Sequence, residues 1–403
     1  MEKKRILMLG ANYYQTNAII TAKELGYYVI TCDYLPNNPG HKYSDEYYNI
    51  STTDKEAVLN LAKKLNIDGI MSYASDVSAS TVAYVAEKLN LPSNPLNSIE
   101  ILTNKGKFRK FLIDNGFNAP KSKVFKENEF DLAKKYIYEN SLPIMIKPVD
   151  SSGSKGITKL INYKDFKEAF EFALEFSNSK TIVIEDFIER EGNMLEMEGF
   201  IVDGEIKFYC AMDQHCDPSC TLFSPIGSSI PTSQSEELQL AAKNTAQKVF
   251  DLLKMKFGSF NFEYVVDKNK NIYIMEIGPR NGGNFIPDVI NYAKGINLAE
   301  YVIKSAVGED CSSIANCKTR KCVSYYLIHS LKNGILKEIK INKVIQSKIL
   351  NKYIYVNSGD YVQKFKDGRM GLGVIILEFE NFEQKQKLMS NMNDYVEVIV
   401  NEE

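Results

Sequence analysis

The chain has 403 residues, enough for two or three domains, and its 44% hydrophobic and 25% charged content is ordinary for a globular protein with a sizeable core. A formal net charge of −2, with no block rich in Lys and Arg, disfavours nucleic-acid binding. Its apolar runs are shorter than the roughly 20 residues that span a bilayer, and the N-terminal run is too short for a signal-peptide core. Seven cysteines in a chain without an export signal predict a cytoplasmic location.

Residues 5–95 alternate between strand and helix patterns. Strands are predicted at 5–9, 28–32 and 67–72, and helices at 17–25, 53–65 and 77–89. This alternation favours a parallel sheet with helices on both faces, which is a Rossmann-like domain. The first turn, at 9–15, has one glycine where a dinucleotide-binding turn needs three, so an NAD-dependent oxidoreductase is disfavoured. Pro92 and Pro95 mark the end of this domain.

The central part of the chain predicts a compact α+β unit preceded by a basic helix. Residues 104–116 form that helix, which ends at a glycine. Between 120 and 187 the order is strand, helix, strand, glycine-rich turn, strand, helix, strand. Residues 197–210 predict a hairpin with an Asp-Gly turn. Residues 210–232, rich in Pro, Ser and Cys, predict a long irregular loop that is either functional or disordered. Further elements are expected as helices at 236–253 and 293–307 and a third α+β unit at 311–403.

A loop rich in glycine and serine follows Lys147 and reads Ser-Ser-Gly-Ser-Lys-Gly at 151–156. Such residues let backbone N–H groups converge on anionic oxygens, and glycine tolerates the φ values that this requires. Because the loop joins two strands and does not open a helix, it is not a Walker-type P-loop. Lys147 could reach a phosphate as a point charge. An ordinary flexible turn is the alternative, but the preceding lysine and the acidic pair described next favour phosphate binding.

Two carboxylates are predicted to face each other across a hairpin. β-Branched and aromatic residues flank a polar break at 267–271, which indicates two antiparallel strands. With a loop at 268–271, Glu263 lies opposite Glu276, where like charges repel. A divalent cation, Mg²⁺ or Mn²⁺, would remove that repulsion. Arg280 follows, a planar cation suited to phosphate or carboxylate. The alternatives are a solvated acidic edge and a structural salt bridge of Arg280.

This order of parts resembles the ATP-grasp superfamily. The parts are the basic helix with Lys107, the strand with Lys147, the glycine-rich loop, the hinge Glu-Asp-Phe-Ile at 185–188, and the acidic pair with Arg280. The resemblance covers nearly the whole chain. It is nearest to the carbamoyl-phosphate-synthase-like and L-amino-acid-ligase branch, on the motif Glu-Ile-Gly-Pro-Arg-Asn-Gly-Gly at 276–283.

The resemblance implies an α/β and α+β architecture in three parts. These are a Rossmann-like domain at 1–95, a two-lobed ATP-grasp domain at 96–310 with a mobile small lobe at about 120–187, and a small C-terminal α+β lobe at 311–403. It also implies ATP and Mg²⁺ (or Mn²⁺) as cofactors. The implied nucleotide-binding residues are Lys107, Lys147, Ser151, Ser152, Gly153, Ser154, Gly156, Glu185, Asp186, Phe187, Ile188 and Glu198. Glu263 and Glu276 would carry the metal.

Two departures from the family pattern affect this assignment. The family has an Asn two residues after the second metal-binding Glu, where this chain has Gly278; Asn281 or water would take that place. The ribose-binding Glu falls to Glu196 or Glu198, with Glu198 favoured.

The implied activity is that of an ATP-dependent carboxylate–amine ligase, forming a C–N bond through an acyl phosphate. Arg280 and Lys147 are the expected catalytic residues, and His215, Arg280, Asn281 and Gly282 the expected substrate contacts, although His215 is equally consistent with a structural role. Small carboxylates and amines, amino acids among them, are the expected partners, with neither nucleic acid nor membrane. An ATP-binding regulatory or scaffolding protein without turnover is the alternative. The sequence leaves open whether the protein is a homodimer.

Overall fold

The computed structural model describes residues 3–192 and 194–401. The N-terminal domain is a four-stranded parallel sheet in the order β3–β2–β1–β4. Its strands are β1 Arg5–Leu9, β2 Tyr28–Cys32, β3 Glu46–Tyr48 and β4 Gly69–Ser72, and its helices are α1 Tyr13–Glu24, α2 Lys55–Leu65 and α3 Ala79–Leu89. The four apolar residues at 6–9 are all buried, as expected for a parallel strand covered on both faces. The predicted Rossmann-like sheet is confirmed, and the sequence pattern missed only the short β3.

The first turn of this domain is closed by its own side chains. The Gln15 amide is buried, accepts from the Asn12 backbone N at 2.9 Å and donates to the Tyr73 carbonyl at 3.0 Å. The Asp33 carboxylate at the end of β2 accepts from the Ala11 backbone N at 3.1 Å. The first turn is therefore packed by Gln15 against Gly10 and fastened to the end of β2 by Asp33.

Two helices, α4 Leu96–Leu102 and α5 Lys105–Asp114, lead into a small lobe. Its antiparallel sheet has the order β5–β8–β6–β7. The elements are β5 Ser122–Lys126, α6 Phe130–Tyr138, β6 Ile144–Pro148, β7 Thr158–Leu160, α7 Phe166–Glu175 and β8 Thr181–Asp186. This is the order of elements that the sequence predicted, and it puts the glycine-rich loop between two adjacent strands, β6 and β7.

The core of the protein is an antiparallel sheet of eight strands in the order β13–β12–β9–β10–β11–β14–β18–β16. Its first part comprises β9 Leu195–Val202, β10 Glu205–Asp217, β11 Thr221–Ile230, α8 Glu236–Leu253, β12 Gly258–Val266, β13 Ile272–Gly278, α9 Ile286–Lys294 and α10 Leu298–Ala306. One face packs on α8, and the other packs on α9, α10 and the N-terminal domain. Since side chains alternate along a strand, residues 196, 198 and 200 of β9 share the second face.

The segment 210–232 is not an irregular loop, so that prediction was wrong. It is most of a long antiparallel hairpin, β10 with β11, joined by a short turn. The ladder shifts register on both sides of Cys216, which lies opposite Pro225. A proline is tolerated at such an irregularity because a bulge needs fewer ladder hydrogen bonds. The Pro, Ser and Cys residues therefore marked a bulged strand pair rather than a break in the sheet.

The C-terminal residues continue the same sheet. β14 pairs with β11, and β18 and β16 follow it, so the sheet crosses the predicted boundary at 310 without interruption. The elements are β14 Cys322–Ile328, β15 Gly334–Ile341, α11 Lys343–Gln346, β16 Ile349–Ile354, β17 Tyr361–Val362, β18 Gly373–Phe379, α12 Phe382–Met389 and β19 Val396–Asn401. Strands β17, β15 and β19 form a separate small sheet. Among the described residues, no helix combines the length and the apolar character needed to cross a membrane.

Candidate active site

A cleft of about 880 Å³ lies between the small lobe and the large sheet. The small lobe contributes β6, the glycine-rich loop and the residues after β8, and the large sheet contributes β9 to β13. The N-terminal domain also reaches the cleft, through Asn12, Tyr14 and Asp76. The size is within the usual range of small-molecule sites, and it adjoins both phosphate-binding candidates of the sequence.

Glu263 and Glu276 lie directly opposite each other on β12 and β13, as predicted, and both line the cleft. The strand pairing next to the turn differs from the prediction by one residue. Val266, rather than the next residue, pairs with Ile272, and the turn is 267–271. A register shift between Glu263 and Tyr264 then restores the facing of the two carboxylates. A bulge at this point is a common way to re-aim side chains at a functional site.

The two carboxylates have different surroundings. Burial raises the pKa of Glu263 to about 7, and the charges of Glu276 and Glu196 add to the rise. Glu276 has a cationic neighbour, because the Nζ of Lys105 lies 3.2 Å from its Oε2. The repulsion that the sequence suggested is therefore concentrated at Glu263. A cation bound between the oxygens would relieve it, and an all-carboxylate donor set suits Mg²⁺ or Mn²⁺.

The lysine that α5 contributes to the cleft is Lys105, not the predicted Lys107. The Asn104 side chain caps the helix, and the Lys105 backbone N donates to the Val149 carbonyl at 2.8 Å, so Lys105 faces the loop. Its Nζ donates to the Ser151 carbonyl at 2.7 Å. Lys107 is rotated by about 200° around the helix. Its Nζ pairs with Glu100 at 3.2 Å in a smaller neighbouring cavity.

Lys147 lines the cleft from β6, but its partner was not predicted. Its Nζ donates to Glu185 Oε1, and Arg109 Nε lies 2.9 Å from Glu185 Oε2. Burial alone would raise the pKa of Glu185, but the charges of Arg109 and Lys147 lower it to about 2. The Glu185 side chain is buried against these two cations and does not line the cleft. Its carboxylate is an anion that positions Lys147, so the predicted adenine contact of this segment falls to the neighbouring backbone carbonyls.

The remaining hinge residues, Asp186, Phe187 and Ile188, do line the cleft. Lys159 lies over the Phe187 ring, 3.7 Å from its centroid, and fixes that ring at the rim. Met145 and Val265 add apolar lining. This end of the cleft suits a planar base flanked by apolar side chains and read by backbone groups.

The glycine-rich loop lies over the cleft and contacts the opposite wall. Residues 151–155 line the cleft, whereas Gly156 does not. Gly153, Ser154 and Gly156 have φ of 66°, 63° and 72°, so the loop uses the left-handed conformations that its composition permits. The Ser154 hydroxyl donates to the Phe223 carbonyl of β11 at 2.5 Å. The loop thus bridges the small lobe and the large sheet.

Arg280 lines the cleft and pairs with Asp76 of the N-terminal domain, with Nη2 and Oδ2 2.5 Å apart. This pair also accounts for Gly278, because a Cβ there would lie 3.0 Å from Asp76 Oδ1 and 3.1 Å from Arg280 Cζ. An asparagine at this position would require the side chains of the pair to shift by a few tenths of an ångström. The glycine that departs from the family pattern is therefore matched by an ion pair that occupies the space of the missing side chain.

Four further predicted contacts lie outside the cleft lining, namely Glu198, His215, Asn281 and Gly282. The Glu198 carboxylate is buried and accepts from the Gly282 backbone N at 2.9 Å, so it supports the loop after β13 and does not reach a ribose. Asn281 is buried beside it, its amide donating to the Gly282 carbonyl at 3.2 Å. His215 forms a hydrogen bond with Ser229 Oγ at 2.6 Å, and burial lowers its pKa to about 4. These residues hold the walls together and do not face the cleft.

Glu196, the less favoured ribose candidate, lines the cleft instead. It lies opposite Glu263 across β9 and β12, so three carboxylates form a row on three adjacent strands. The Gln214 amide N donates to Glu196 at 3.0 Å and to Glu263 at 3.4 Å. Sequence reasoning missed Gln214 because it was assigned to an irregular loop. Strand pairing, not any local motif, brings these residues together.

Comparison with known proteins identifies the family that the central part of the chain matches and the solved structures that share its fold. Residues 140–288 match the family described as an ATP-grasp domain. Over 314 residues, 76% of this chain and 77% of the relative, the sequence is 26% identical to the formate-dependent phosphoribosylglycinamide formyltransferase of Prochlorococcus marinus (strain NATL2A). The fold matches the L-amino acid ligase of Bacillus licheniformis with a TM-score of 0.83 and 21% identity, covering 100% of both chains. It matches the phosphoribosylglycinamide synthetase of Anaerococcus prevotii with a TM-score of 0.74 and 22% identity, covering 99% of this chain and 100% of the other.

These matches confirm the predicted fold and the predicted superfamily. The ATP-grasp relatives are ATP-dependent ligases, the enzyme class that the sequence indicated. The N-terminal and C-terminal parts lie outside the matched domain but inside the structural matches, which extend over the whole chain. The protein thus contains an ATP-grasp domain, at residues 140–288.

Proposed function

We propose that the protein is an ATP-dependent carboxylate–amine ligase that works through an acyl phosphate. The observation that carries the proposal is the opposed pair Glu263 and Glu276 on one wall of a cleft whose other wall holds Lys147 and the glycine-rich loop. Anionic metal ligands and phosphate-binding groups face the same space. That is the arrangement phosphoryl transfer needs, since catalysis there depends on positioning and on neutralising charge.

ATP would lie along the cleft with its base at the hinge and its phosphates at the loop. Phe187, Ile188 and Met145 supply the apolar base end. Lys147 and Lys105 supply cations at the phosphate end, where the loop adds backbone N–H groups. Lys105 takes the role that the resemblance gave to Lys107.

The acidic pair fits a divalent cation, because its oxygens are hard ligands and the raised pKa of Glu263 reports an anion without sufficient compensation. Bound there, Mg²⁺ or Mn²⁺ would neutralise charge on the phosphates. Glu263 and Glu276 would hold it, and Lys105 would restrain Glu276. Gly278 supplies no third ligand, so water is the expected further donor.

The chemistry has two steps. An oxygen of the substrate carboxylate attacks the γ-phosphorus of ATP, the bond to the β-phosphate oxygen breaks, and ADP leaves. An amine then attacks the acyl carbon, a C–N bond forms, the acyl C–O bond breaks, and phosphate leaves. Arg280, held by Asp76, is placed to stabilise the acyl phosphate or to bind an acceptor carboxylate. The proposed substrates are small carboxylates and amines, amino acids among them, and the proposed location is the cytoplasm.

An ATP-binding regulatory or scaffolding protein is the second candidate, and Gly278 favours it because one usual metal ligand is missing. The two functions are separated by a screen of amino-acid pairs and small carboxylates with amines, in which ADP and phosphate release is measured. The ligase predicts ADP release that needs both a carboxylate and Mg²⁺, and an amide product by mass spectrometry. Tight ATP binding without ADP release over the whole panel would support the regulatory function and contradict the ligase.

A further inference from the structure

An aspartate, a cysteine and a histidine come together at the tip of the β10–β11 hairpin, apart from the acidic pair. Asp217 ends β10, Cys220 precedes β11, and His329 directly follows β14. A carboxylate oxygen, a sulfur and a ring nitrogen of these side chains all lie within 4.8 Å of one another. Asp217 and His329 are buried, whereas Cys220 is half-buried and lines the cleft. These three donor types are those that zinc takes in proteins.

The ring of His329 has a fixed orientation. Its Nδ1 lies 2.9 Å from the carbonyl oxygen of Leu327, which can only accept, so Nδ1 carries a hydrogen. Its Nε2 lies 2.8 Å from Asp217 Oδ2. In a neutral ring with its hydrogen on Nδ1, the Nε2 lone pair would face a carboxylate oxygen, and the two would repel each other. A cation is therefore needed between the two atoms, either a proton on Nε2 or a metal ion.

The carboxylate of Asp217 is held from its other side. Its Oδ1 accepts from the backbone N and the Oγ of Ser219, at 2.9 Å and 2.6 Å, and its Oδ2 accepts from Asn393 Nδ2 at 2.7 Å. The amide of Asn393 is oriented in turn, because its Oδ1 accepts from the Tyr326 hydroxyl at 3.1 Å. Burial alone would raise the pKa of Asp217, but its hydrogen bonds, first that from Ser219, lower it to about 2, so the group is an anion. Metal-binding histidines and carboxylates usually have such outer hydrogen bonds.

The charge balance of the cluster permits an exchange of two protons for one divalent cation. Without a metal, the anion of Asp217 faces a ring with hydrogens on both nitrogens, and burial raises the pKa of the Cys220 thiol, which keeps its proton. When a divalent cation binds, Nε2 and Sγ each release a proton to solvent. The carboxylate and the thiolate then balance the charge of the metal. Both states are neutral, so no net charge has to be buried.

We propose that Asp217, Cys220 and His329 bind one Zn²⁺ ion, which fastens the tip of the β10–β11 hairpin to the end of β14. Sulfur and nitrogen donors favour Zn²⁺ over Mg²⁺, which prefers oxygen. Ligands of a tetrahedral zinc are roughly 3.3 Å apart for nitrogen and oxygen, against 2.8 Å here, so the ring and the carboxylate would separate by about 0.5 Å. The fourth position is open to water, because Cys220 lines the cleft. The inference does not depend on the proposed ligase function.

The position of the cluster gives the metal a mechanical role. The ladder between β10 and β11 shifts register on both sides of Cys216, so regular strand pairing does not extend to the tip. Phe223, just after Cys220, accepts the hydrogen bond of Ser154 from the glycine-rich loop. A zinc ion at the tip would therefore fix the wall against which that loop lies.

The test measures zinc in protein without a purification tag. Wild-type protein is stripped with a chelator, equilibrated with Zn²⁺ and desalted, and it is expected to keep about one zinc per chain by elemental mass spectrometry. Cys220→Ser and His329→Gln are expected to bind Zn²⁺ roughly tenfold more weakly or worse. Cys317→Ser is the matched control and is expected to keep its zinc, because Cys317 is also half-buried but lies outside the cluster.

Substitution of Co²⁺ for Zn²⁺ reports the donor atoms. A thiolate on Co²⁺ gives a sulfur-to-metal charge-transfer band in the near ultraviolet, and tetrahedral Co²⁺ absorbs strongly in the visible. Both features are expected in wild type and in Glu263→Gln, which removes a ligand of the proposed magnesium site and not of this one. The charge-transfer band is expected to disappear in Cys220→Ser. With excess Mg²⁺ present, Zn²⁺ is expected to raise the melting temperature of wild type and of Cys317→Ser, but not of His329→Gln.

Three results would overturn the inference. Zinc at background level in wild type would leave the cluster as a buried pair of a protonated ring and a carboxylate. Full zinc content in both Cys220→Ser and His329→Gln would put the metal elsewhere in the protein. A wild-type cobalt spectrum without the charge-transfer band would remove the cysteine from the ligand set. Failure of the ligase proposal would change none of these measurements, since none of them uses ATP or a substrate.

Discussion

The buried triad of Glu185, Lys147 and Arg109 gives the sharpest stability prediction. Replacing Glu185 with Gln removes the only anion that the described part of the chain places against both cations. The pKa of Glu185 is about 2, against an ordinary value of about 4.3. At 1.36 kcal/mol for each pKa unit, the charged form stabilises the fold by about 3 kcal/mol. Breaking a buried pair typically costs a similar amount, about 3–5 kcal/mol.

The sign of the pH dependence follows from the direction of the shift. The folded-state pKa lies below the unfolded one, so the stabilisation is complete above about pH 5 and is lost as pH falls from about 4 towards 2. Urea unfolding of wild type and Glu185→Gln is therefore expected to differ by about 3 kcal/mol at pH 7 and by about half of that near pH 3. The difference between the urea midpoints of the two proteins therefore becomes smaller as the pH falls.

The control is Glu139→Gln, in an exposed ion pair with Lys135 at 3.8 Å. Exposed pairs contribute about 0–1 kcal/mol, so this variant is expected to unfold close to wild type at every pH. If Glu185→Gln were as stable as the control at pH 7, or if its deficit were the same at pH 3, the account of Glu185 as the anion that holds two buried cations would be wrong.

Three further predictions concern the cleft. Lys105→Ala is expected to weaken ATP binding at least tenfold by calorimetry, because the Lys105 Nζ reaches the glycine-rich loop. Lys107→Ala is expected to bind ATP nearly as tightly as wild type, because Lys107 pairs with Glu100 instead. A larger loss of affinity in Lys107→Ala than in Lys105→Ala would return the phosphate contact to Lys107. Hydrogen exchange at 151–156 is expected to slow when an ATP analogue binds, and equal rates would exclude a closing loop. Glu263→Gln is expected to melt at or above wild type in EDTA, because the carboxylate that it removes is buried beside Glu276 and Glu196. It is expected to lose the gain of about 2.7 kcal/mol that Mg²⁺ and ATP give at 100 times Kd, and a normal gain would contradict the shared metal site.

The sequence predicted the fold well where local patterns and global pairing agree. The hydrophobic periodicity within each single helix or strand was enough to predict the strand–helix alternation of the first domain and the order of elements in the small lobe. The 210–232 segment failed because Pro225 and a cluster of polar residues lie inside a bulged strand. Periodicity cannot reveal a strand whose alternation shifts register twice, since each shift moves the following side chains to the other face.

The site was predicted where one hairpin contained both partners. Glu263 and Glu276 are close in sequence, so a short-range register argument sufficed, even though the turn was one residue longer and a bulge compensated for it. Lys105 and Lys107 can be told apart only if the rotation of α5 is known, because that decides which lysine faces the loop. The rotation depends on where the helix begins, at its N-cap Asn104. The pairing of Glu185 with Arg109 joins residues 76 positions apart and has no local signature.

The N-terminal domain shows most directly why the rest of the site needed a structure. Asp76 contributes to the cleft only because β4 ends beside the loop after β13, where Arg280 meets it 204 positions away in sequence. The same contact crowds any side chain at Gly278, whose Cβ would lie 3.0 Å from Asp76 Oδ1. A missing ligand, read alone, suggested lost catalysis. In the structure, the ion pair of Asp76 and Arg280 lies in the space that such a side chain would use, so the first domain contributes to the wall of the cleft. We therefore expect turnover to depend on how Asp76 holds Arg280, and not only on the acidic pair.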